Sequence, residues 1–360
     1  MKLLITGVCG FVGSTLARGW LETAASDGDE LVIHGIDNFS RAGSEANRIE
    51  LARRGVRLSH GDLRCPEDLS TLPAVDWVID SAANASVLAG IDGLASSRQI
   101  FDSNLFSTIN LLEYCKRHRA GFILLSTSRV YSIESLCRLP LIARNEAWTL
   151  DTDQPLPVGA SGLGISEAFS TTPPISLYGA SKLASELLAL EYGSVFDFPV
   201  WINRCGVLAG AGQFGRPDQG IFAYWLNAYL REKPLRYIGF NGTGWQARDM
   251  LHPLDLIPLL RRQCQFSGTP LARILNLGGG PSRTISLRQV TAWCEQRWGT
   301  RQVAQDLRPR PFDIPWFAMD YSLAEGQFDW RPAHACEQIL DEIAAHAEQH
   351  PDWLELSGAN

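Results

Sequence analysis

No long run of lysine or arginine occurs in the 360 residues, and 32 basic side chains face 39 acidic ones, a formal net charge of -7. Without a concentrated basic footprint, neither a nucleic acid nor an anionic membrane surface is expected as a partner. A few placed arginines still suffice for a small anionic ligand. The scattered cysteines (Cys9, Cys65, Cys115, Cys137, Cys205, Cys264, Cys294 and Cys336) include no C-x-x-C pair, and no histidine cluster has metal-ligand spacing. No metal site is predicted, and the thiols read as reduced and mostly buried, which suits a cytoplasmic protein. No stretch reaches the roughly 18 apolar residues of a membrane span. Met1 to Gly13 lacks the apolar core and cleavage site of an export signal and reads as a first strand and turn. No segment is poor enough in apolar residues to predict disorder, and the length allows one large or two ordinary domains.

What the sequence does hold is alternation. Leu3 to Thr6, Leu31 to Ile36, Val56 to Ser59, Trp77 to Ile79 and Phe122 to Ser126 read as strands separated by amphipathic stretches, the pattern of a parallel sheet covered by helices. Phe101, Leu105, Ile109 and Leu112 fall at helical spacing, as do Leu183, Leu187 and Leu190. Pro199 to Asn203 and Arg273 to Leu277 read as later strands of the same sheet. The stretch from Ile133 to Pro174, rich in Pro, Gly and Ser, predicts a long ordered loop near the site. The expected architecture is a doubly wound α/β fold with residues 1–205 binding a dinucleotide, a strand near 273–277 added to that sheet, and residues 206–360 forming mainly a smaller substrate lid.

Gly7-x-x-Gly10-Phe11-Val12-Gly13 follows a strand and opens a helix, the context of a dinucleotide fingerprint. Glycine lets the backbone approach a pyrophosphate, and the helix N-terminus offers it free N–H groups and partial positive charge. Asp37 ends the second strand, where a carboxylate can accept both adenosine ribose hydroxyls and disfavours a 2′-phosphate; NAD is therefore expected, with Arg41 leaving NADP as the alternative. Tyr178 and Lys182 stand at i and i+4 on one helix face, which suits a general base and the ammonium that tunes it. Alone such a pair is ordinary helix surface, but the fingerprint and the hydroxyl of Thr127 just past the fifth strand reverse that reading. Thr127 would orient the hydroxyl that Tyr178 deprotonates, with Ser126 and Ser128 as flanking candidates.

In these motifs the chain resembles the extended short-chain dehydrogenase/reductase family of nucleotide-sugar epimerases and dehydratases. The segments that carry the resemblance are Thr6 to Ser14, Asp37-Asn38-Phe39-Ser40-Arg41, Gly61-Asp62, Ser126-Thr127-Ser128-Arg129-Val130-Tyr131 and Tyr178-Gly179-Ala180-Ser181-Lys182. The resemblance implies that Asn38, Ser40, Arg41, Asp62 and Leu63 hold the adenosine half of NAD, that Ala82 and Ala83 line its channel, and that Asn104 supports the nicotinamide side. Lys182 would hold the nicotinamide ribose. Gln213-Phe214, Asp218-Gln219-Gly220 and Gln246 to His252 look like the CDP-paratose 2-epimerase branch, implying Arg248 and Arg310 at a substrate pyrophosphate, with Gln213, Gln219, Ser128 and Arg129 near the sugar or nucleotide. A homodimer through the helices around 104–116 and 178–190 is implied as well.

Two departures bear on the reaction. Family dehydratases place Asp-Glu after the catalytic threonine, whereas Ser128-Arg129 stands here, against 4,6-dehydration. Ala209-Gly210 replaces the usual Tyr-Gly. The sequence thus predicts an NAD-dependent epimerase of a nucleotide-activated sugar, a CDP-sugar favoured, with a UDP- or GDP-sugar 4-epimerase as the nearest alternative and a non-catalytic NAD sensor as the alternative of another kind. Trp225 and Trp245 are candidates for contact with the nucleotide.

Overall fold

The computed structural model describes residues 1–359 apart from 92, 94 and 95. Seven parallel strands form its central sheet: β1 (Lys2–Thr6), β2 (Val32–Asp37), β3 (Arg57–His60), β4 (Trp77–Asp80), β5 (Gly121–Thr127), β6 (Val200–Cys205) and β7 (Ile274–Leu277). Their order is β7-β6-β5-β4-β1-β2-β3, a doubly wound arrangement. Every residue of β4, β5 and β6 is buried, as expected where helices cover both faces of a parallel sheet. All seven predicted strands are present, displaced by one or two residues at their ends.

The layers show why the segments fold this way. On one face, α1 (Phe11–Asp27) packs Leu16, Ala17 and Trp20 onto the sheet together with Leu256, Leu259 and Leu260 of a later helix. On the other, α2 (Ser107–His118) and α3 (Ser176–Phe196) cover β4, β5 and β6 through Leu111, Leu112, Ala189 and their neighbours. The sequence pattern misjudged α3. Its predicted apolar stripe includes Leu187, which is 61% exposed, while the buried face carries Tyr178, Ser181, Lys182, Ser185 and Glu186. Polar chemistry under that helix won over periodicity.

The loop expected from Ile133 to Pro174 is ordered but not featureless. It contains a short helix (Ile133–Cys137) and two hairpins, Leu141–Arg144 with Ala147–Leu150 and Ala160–Ser161 with Gly164–Ile165. The hairpins pack beside a small mixed sheet built from Val207–Leu208, Ala247–Leu251, Thr284–Ser286 and Trp316–Phe317. A separate apolar core containing Phe222, Trp225, Tyr229, Ile339 and Ile343 holds the helices of this second lobe.

Candidate active site

The site lies at the carboxyl ends of the central strands, where ligands bind in open α/β sheets. Thr6, Asp80 and Leu124 stand level across β1, β4 and β5, and Thr127 stands level with Cys205 across β5 and β6. A cavity of about 890 Å³ opens above them. It brings together Gly7, Gly10, Phe11, Val12, Gly13, Asp37, Asn38, Ser40, Arg41, Asp62, Leu63, Ala82 and Ala83 on one side. Thr127, Ser128, Arg129, Tyr178, Gln213, Gln219, Arg248 and Arg310 line the same space.

The glycine turn leaves room that a side chain would fill. Gly7 has φ +57°, and a Cβ there would lie 3.0 Å from Ala82 Cα; a Cβ on Gly13 would lie 2.4 Å from the Gly7 carbonyl oxygen. The α1 N-terminus meets this cradle at Phe11, so its free N–H groups face the cavity floor. Asp37 Oδ2 accepts from the Cys9 amide at 2.9 Å and Oδ1 from the Phe39 amide at 2.8 Å, fixing the carboxylate to the turn it serves. Asp62 accepts from Asn38 Nδ2 at 3.1 Å, and the Arg64 guanidinium beside it holds its carboxyl well below the usual range. These residues fit the adenosine diphosphate half of a dinucleotide.

Arg41 is committed elsewhere than to a second phosphate. It donates to Gln219 Oε1 at 2.8 Å and to the Phe214 carbonyl, and burial lowers its pKa to about 10. Ser86 Oγ donates to Asp218 Oδ2 at 2.7 Å. The 214–219 segment is thereby tied across the cofactor side, and Gln219 serves this tie.

Thr127 closes β5 rather than lying beyond it, and its Oγ1 accepts from the Arg129 amide at 3.2 Å. Burial raises the pKa of the Tyr178 phenol, while the Thr127 hydroxyl and the Arg129 charge pull it down. Lys182, one turn further along α3, is buried and forms no part of the cavity wall among the described residues. Burial lowers its pKa, and the carboxylates of Asp80 and Glu186 oppose that shift. Asn104 also stands behind the wall, in a π-helical turn at Asp102–Phe106 between the predicted helical residues. Its amide accepts from the Asn84 N–H at 2.8 Å and donates to Ser181 Oγ at 3.1 Å, so it pins the strand-end loop to α3.

In the substrate half Arg248 donates to Asp313 Oδ1 at 3.1 Å, to the Ile314 carbonyl at 2.5 Å and to the Ala247 carbonyl at 2.8 Å. Arg310 donates to the Pro217 carbonyl at 3.0 Å and Arg129 to the Phe312 carbonyl at 3.2 Å. Burial lowers the Arg248 pKa to about 10, opposed by Asp313 and reinforced by Arg129 and Arg310. Gln213 Nε2 donates to the Leu208 carbonyl at 2.8 Å. Trp225 reaches the cavity with its indole N–H bonded to Thr291 at 3.0 Å. Trp245 does not reach it and packs edge-on against Trp148, ring centres 5.6 Å apart.

Sequence reasoning passed over Asp80 and Asp313. Asp80 is buried at the end of β4 and accepts from Thr6 Oγ1 at 2.7 Å; its signal was a charged residue closing an apolar strand. Asp313 follows Arg308-Pro309-Arg310-Pro311-Phe312, the acid that ends an arginine-rich turn.

A glycine cradle, a buried carboxylate at the end of β2 and a buried Thr–Tyr pair meet at the carboxyl ends of one sheet, an arrangement that fits a dinucleotide-dependent enzyme. The sequence profile described as the NAD dependent epimerase/dehydratase family matches residues 3–278, and the chain belongs to that family. NAD is accordingly its cofactor, and its relatives act on nucleotide sugars. It is 29% identical over 344 residues to CDP-paratose 2-epimerase of Salmonella typhi, covering 92% of this chain and 95% of that protein. It is 27% identical to UDP-glucuronate 4-epimerase of Thermodesulfobacterium geofontis, covering 94% and 93%. Among solved structures, UDP-glucose 4-epimerase of Thermotoga maritima with UDP-glucose superposes with a TM-score of 0.76 at 19% identity, covering 97% of this chain and 99% of that one. UDP-glucuronic acid 4-epimerase of Bacillus cereus, in complex with UDP-glucuronic acid and NAD, gives 0.75 at 24% identity, covering 97% and 99%.

Proposed function

We propose that the protein inverts one carbon of a nucleotide-activated sugar, with a CDP-sugar and C2 inversion, as in CDP-paratose 2-epimerase, the preferred case. The observation that carries this reading is the wall that follows Thr127. Ser128 and Arg129 line the cavity there, so no carboxyl group stands next to Thr127 to protonate a leaving hydroxyl. Oxidation and return remain available to Thr127 and Tyr178, whereas the acid that elimination would use directly after Thr127 is replaced by Ser128. The likeness to the Salmonella enzyme over nearly both whole chains supports the choice of C2 and of CDP.

When bound, NAD accepts a hydride and gives it back. In this reading Tyr178 takes the proton of the sugar hydroxyl and later returns it, while Thr127 orients that hydroxyl. Asp37 holds the adenosine ribose, and Lys182, buried one turn beyond Tyr178 on the same helix, supports the nicotinamide side from beneath the cavity wall. Arg248 and Arg310 take the substrate pyrophosphate: with Arg129 they place three positive charges around the carboxylate of Asp313, which the Arg248 guanidinium contacts directly, an arrangement that suits an anionic ligand. The surrounding walls exclude water from a ketone. A homodimer through α2 and α3 belongs to the same reading, supported by the exposure of Leu187 on α3 and of Phe106 at the start of α2.

The test is incubation of purified protein with CDP-, UDP-, GDP- and dTDP-sugars in heavy water, followed by NMR of the sugar. Inversion at one carbon without solvent deuterium there, and without net NADH, is expected. Inversion at C4 of a UDP-sugar would move the assignment to a 4-epimerase. Loss of a C6 hydroxyl would overturn the reading, as would NAD binding with no sugar converted.

A further inference from the structure

We propose that Ser86 and Asp218 form a clasp between the two lobes that shuts NAD into its cradle, so that the cofactor enters and leaves only when this bond opens. The proposal rests on NAD as the cofactor and not on which sugar is turned over. Asp218 belongs to a strap, residues 213–220, folded into a tight turn. Arg216 and Gln219 exchange backbone hydrogen bonds at 2.7 and 3.2 Å, which puts Pro217 and Asp218 at the tip. Three further bonds hold the strap to the second lobe: Arg216 Nε donates to the Ser357 carbonyl at 2.7 Å, Trp353 Nε1 to the Gln213 carbonyl at 2.9 Å and Arg310 Nη2 to the Pro217 carbonyl at 3.0 Å.

The strap reaches the first lobe at two places. Ser86, in the loop after β4, donates its hydroxyl to Asp218 Oδ2 at 2.7 Å. Arg41, in the loop after β2, donates to Gln219 Oε1 at 2.8 Å and to the Phe214 carbonyl. In the sheet β1 lies between β4 and β2, so a strap tied to the loops after both passes over the turn after β1, and that turn is the glycine cradle. Cradle and strap line one cavity, and a dinucleotide held by the cradle is covered by the strap. Ser86 itself is not among the residues that line this cavity, so its effect on the cofactor passes through Asp218. The acceptor is a carboxylate, which makes this the stronger kind of hydrogen bond. An enzyme that recovers its NAD in each turnover has no need to exchange it, and a shut clasp does not interrupt such a cycle.

The experiment measures cofactor exchange in the whole protein, without sugar. NADH-loaded protein is mixed with excess NAD, and the loss of bound NADH fluorescence gives the release rate; stopped-flow mixing of NADH with the cofactor-free protein gives the entry rate. Ser86→Ala and Asp218→Ala are each expected to speed release about tenfold, the effect of losing one hydrogen bond to a charged group. Entry should quicken by a similar factor, leaving affinity within about threefold, because a bond that only shuts the way acts on both directions alike. The double variant should behave like either single one, since both remove the same bond. Asp218→Asn, which keeps the shape and loses the charge, is expected to give about a threefold effect and serves if a truncated variant does not fold. Unmoved release rates in the folded variants overturn the proposal. Faster release with unmoved entry overturns it too and makes these residues ordinary cofactor contacts, as do effects that multiply in the double variant. No sugar is involved, so failure to find a substrate would strike the epimerase reading without touching this result.

Discussion

The carbonyl oxygen of Arg129 occupies the space that a side chain on residue 179 would need, and only glycine there allows the turn after β5 to seat against α3. With a Cβ just 2.2 Å from that oxygen, Gly179→Ala must push the two catalytic segments apart. Overpacking of this kind costs about 1–3 kcal/mol. We expect kcat to fall at least tenfold while NAD affinity, measured by fluorescence titration, stays within a factor of about two, because the cofactor cradle is remote from the clash. Unchanged kcat would show that Thr127 and Tyr178 need no such register.

Tyr178→Phe removes the proton acceptor and leaves the buried ring in place. Turnover should drop roughly 10²- to 10⁴-fold, the range for loss of a positioned general base, with NAD still bound and the circular dichroism unaltered. Retention of activity would remove Tyr178 from the reaction.

Gly13→Ala should act on the cofactor alone. The new methyl would stand 2.4 Å from the Gly7 carbonyl oxygen and 2.8 Å from Val8 Cα, so α1 must withdraw from the turn that meets the pyrophosphate. Calorimetric NAD affinity should weaken roughly tenfold or more, as expected where this glycine sets the helix–strand approach.

A buried ion pair joins α3 to the sheet. Arg204 Nη2 lies 2.7 Å from Glu186 Oε2, and Ser126 Oγ donates to Glu186 Oε1 at 2.5 Å. Glu186→Gln strands the guanidinium in the core and should cost about 3–5 kcal/mol in urea unfolding. Glu134→Gln, which breaks an exposed pair with Arg138, should change stability by no more than about 0.5 kcal/mol.

His334 makes stability fall with rising pH. Its bond to Asp255, at 2.5 Å, raises its pKa above the ordinary 6.5. Folding therefore favours the protonated ring: the gain is complete below about pH 6.5 and is lost as pH climbs through the higher folded value. Urea midpoints of the wild type and His334→Gln should converge over that climb. Parallel curves would mean that the pair carries no linked proton.

The strands were legible because β4, β5 and β6 are buried on both faces and so read as continuous apolar runs. The cofactor cradle was legible because glycine is required there on steric grounds alone. The sequence misled at α3, whose inward face carries Lys182 and Glu186, and helical periodicity reports only apolar faces. It was silent on Asp80 and Asp313, since each acquires meaning from a cation distant in sequence. The Lys182 charge that acts on Asp80 and the ion pair of Asp313 with Arg248 are tertiary information. Local spacing placed Tyr178 and Lys182 on one face of α3, and both side chains are buried on that face.

The central sheet takes its last strand, β7, from residues that follow the first part of the second lobe, and among the described residues β7 pairs with β6 alone. During synthesis, the edge of β6 stays open until residue 277 has left the ribosome, and the helix Leu256–Gln265 that covers Trp201 arrives only shortly before. A chain cut at residue 205 would carry every glycine of the cofactor turn and still expose an unpaired apolar strand edge, the situation that leads to aggregation. The two lobes line one cavity, and the sheet of the first is complete only with a strand drawn from beyond residue 205.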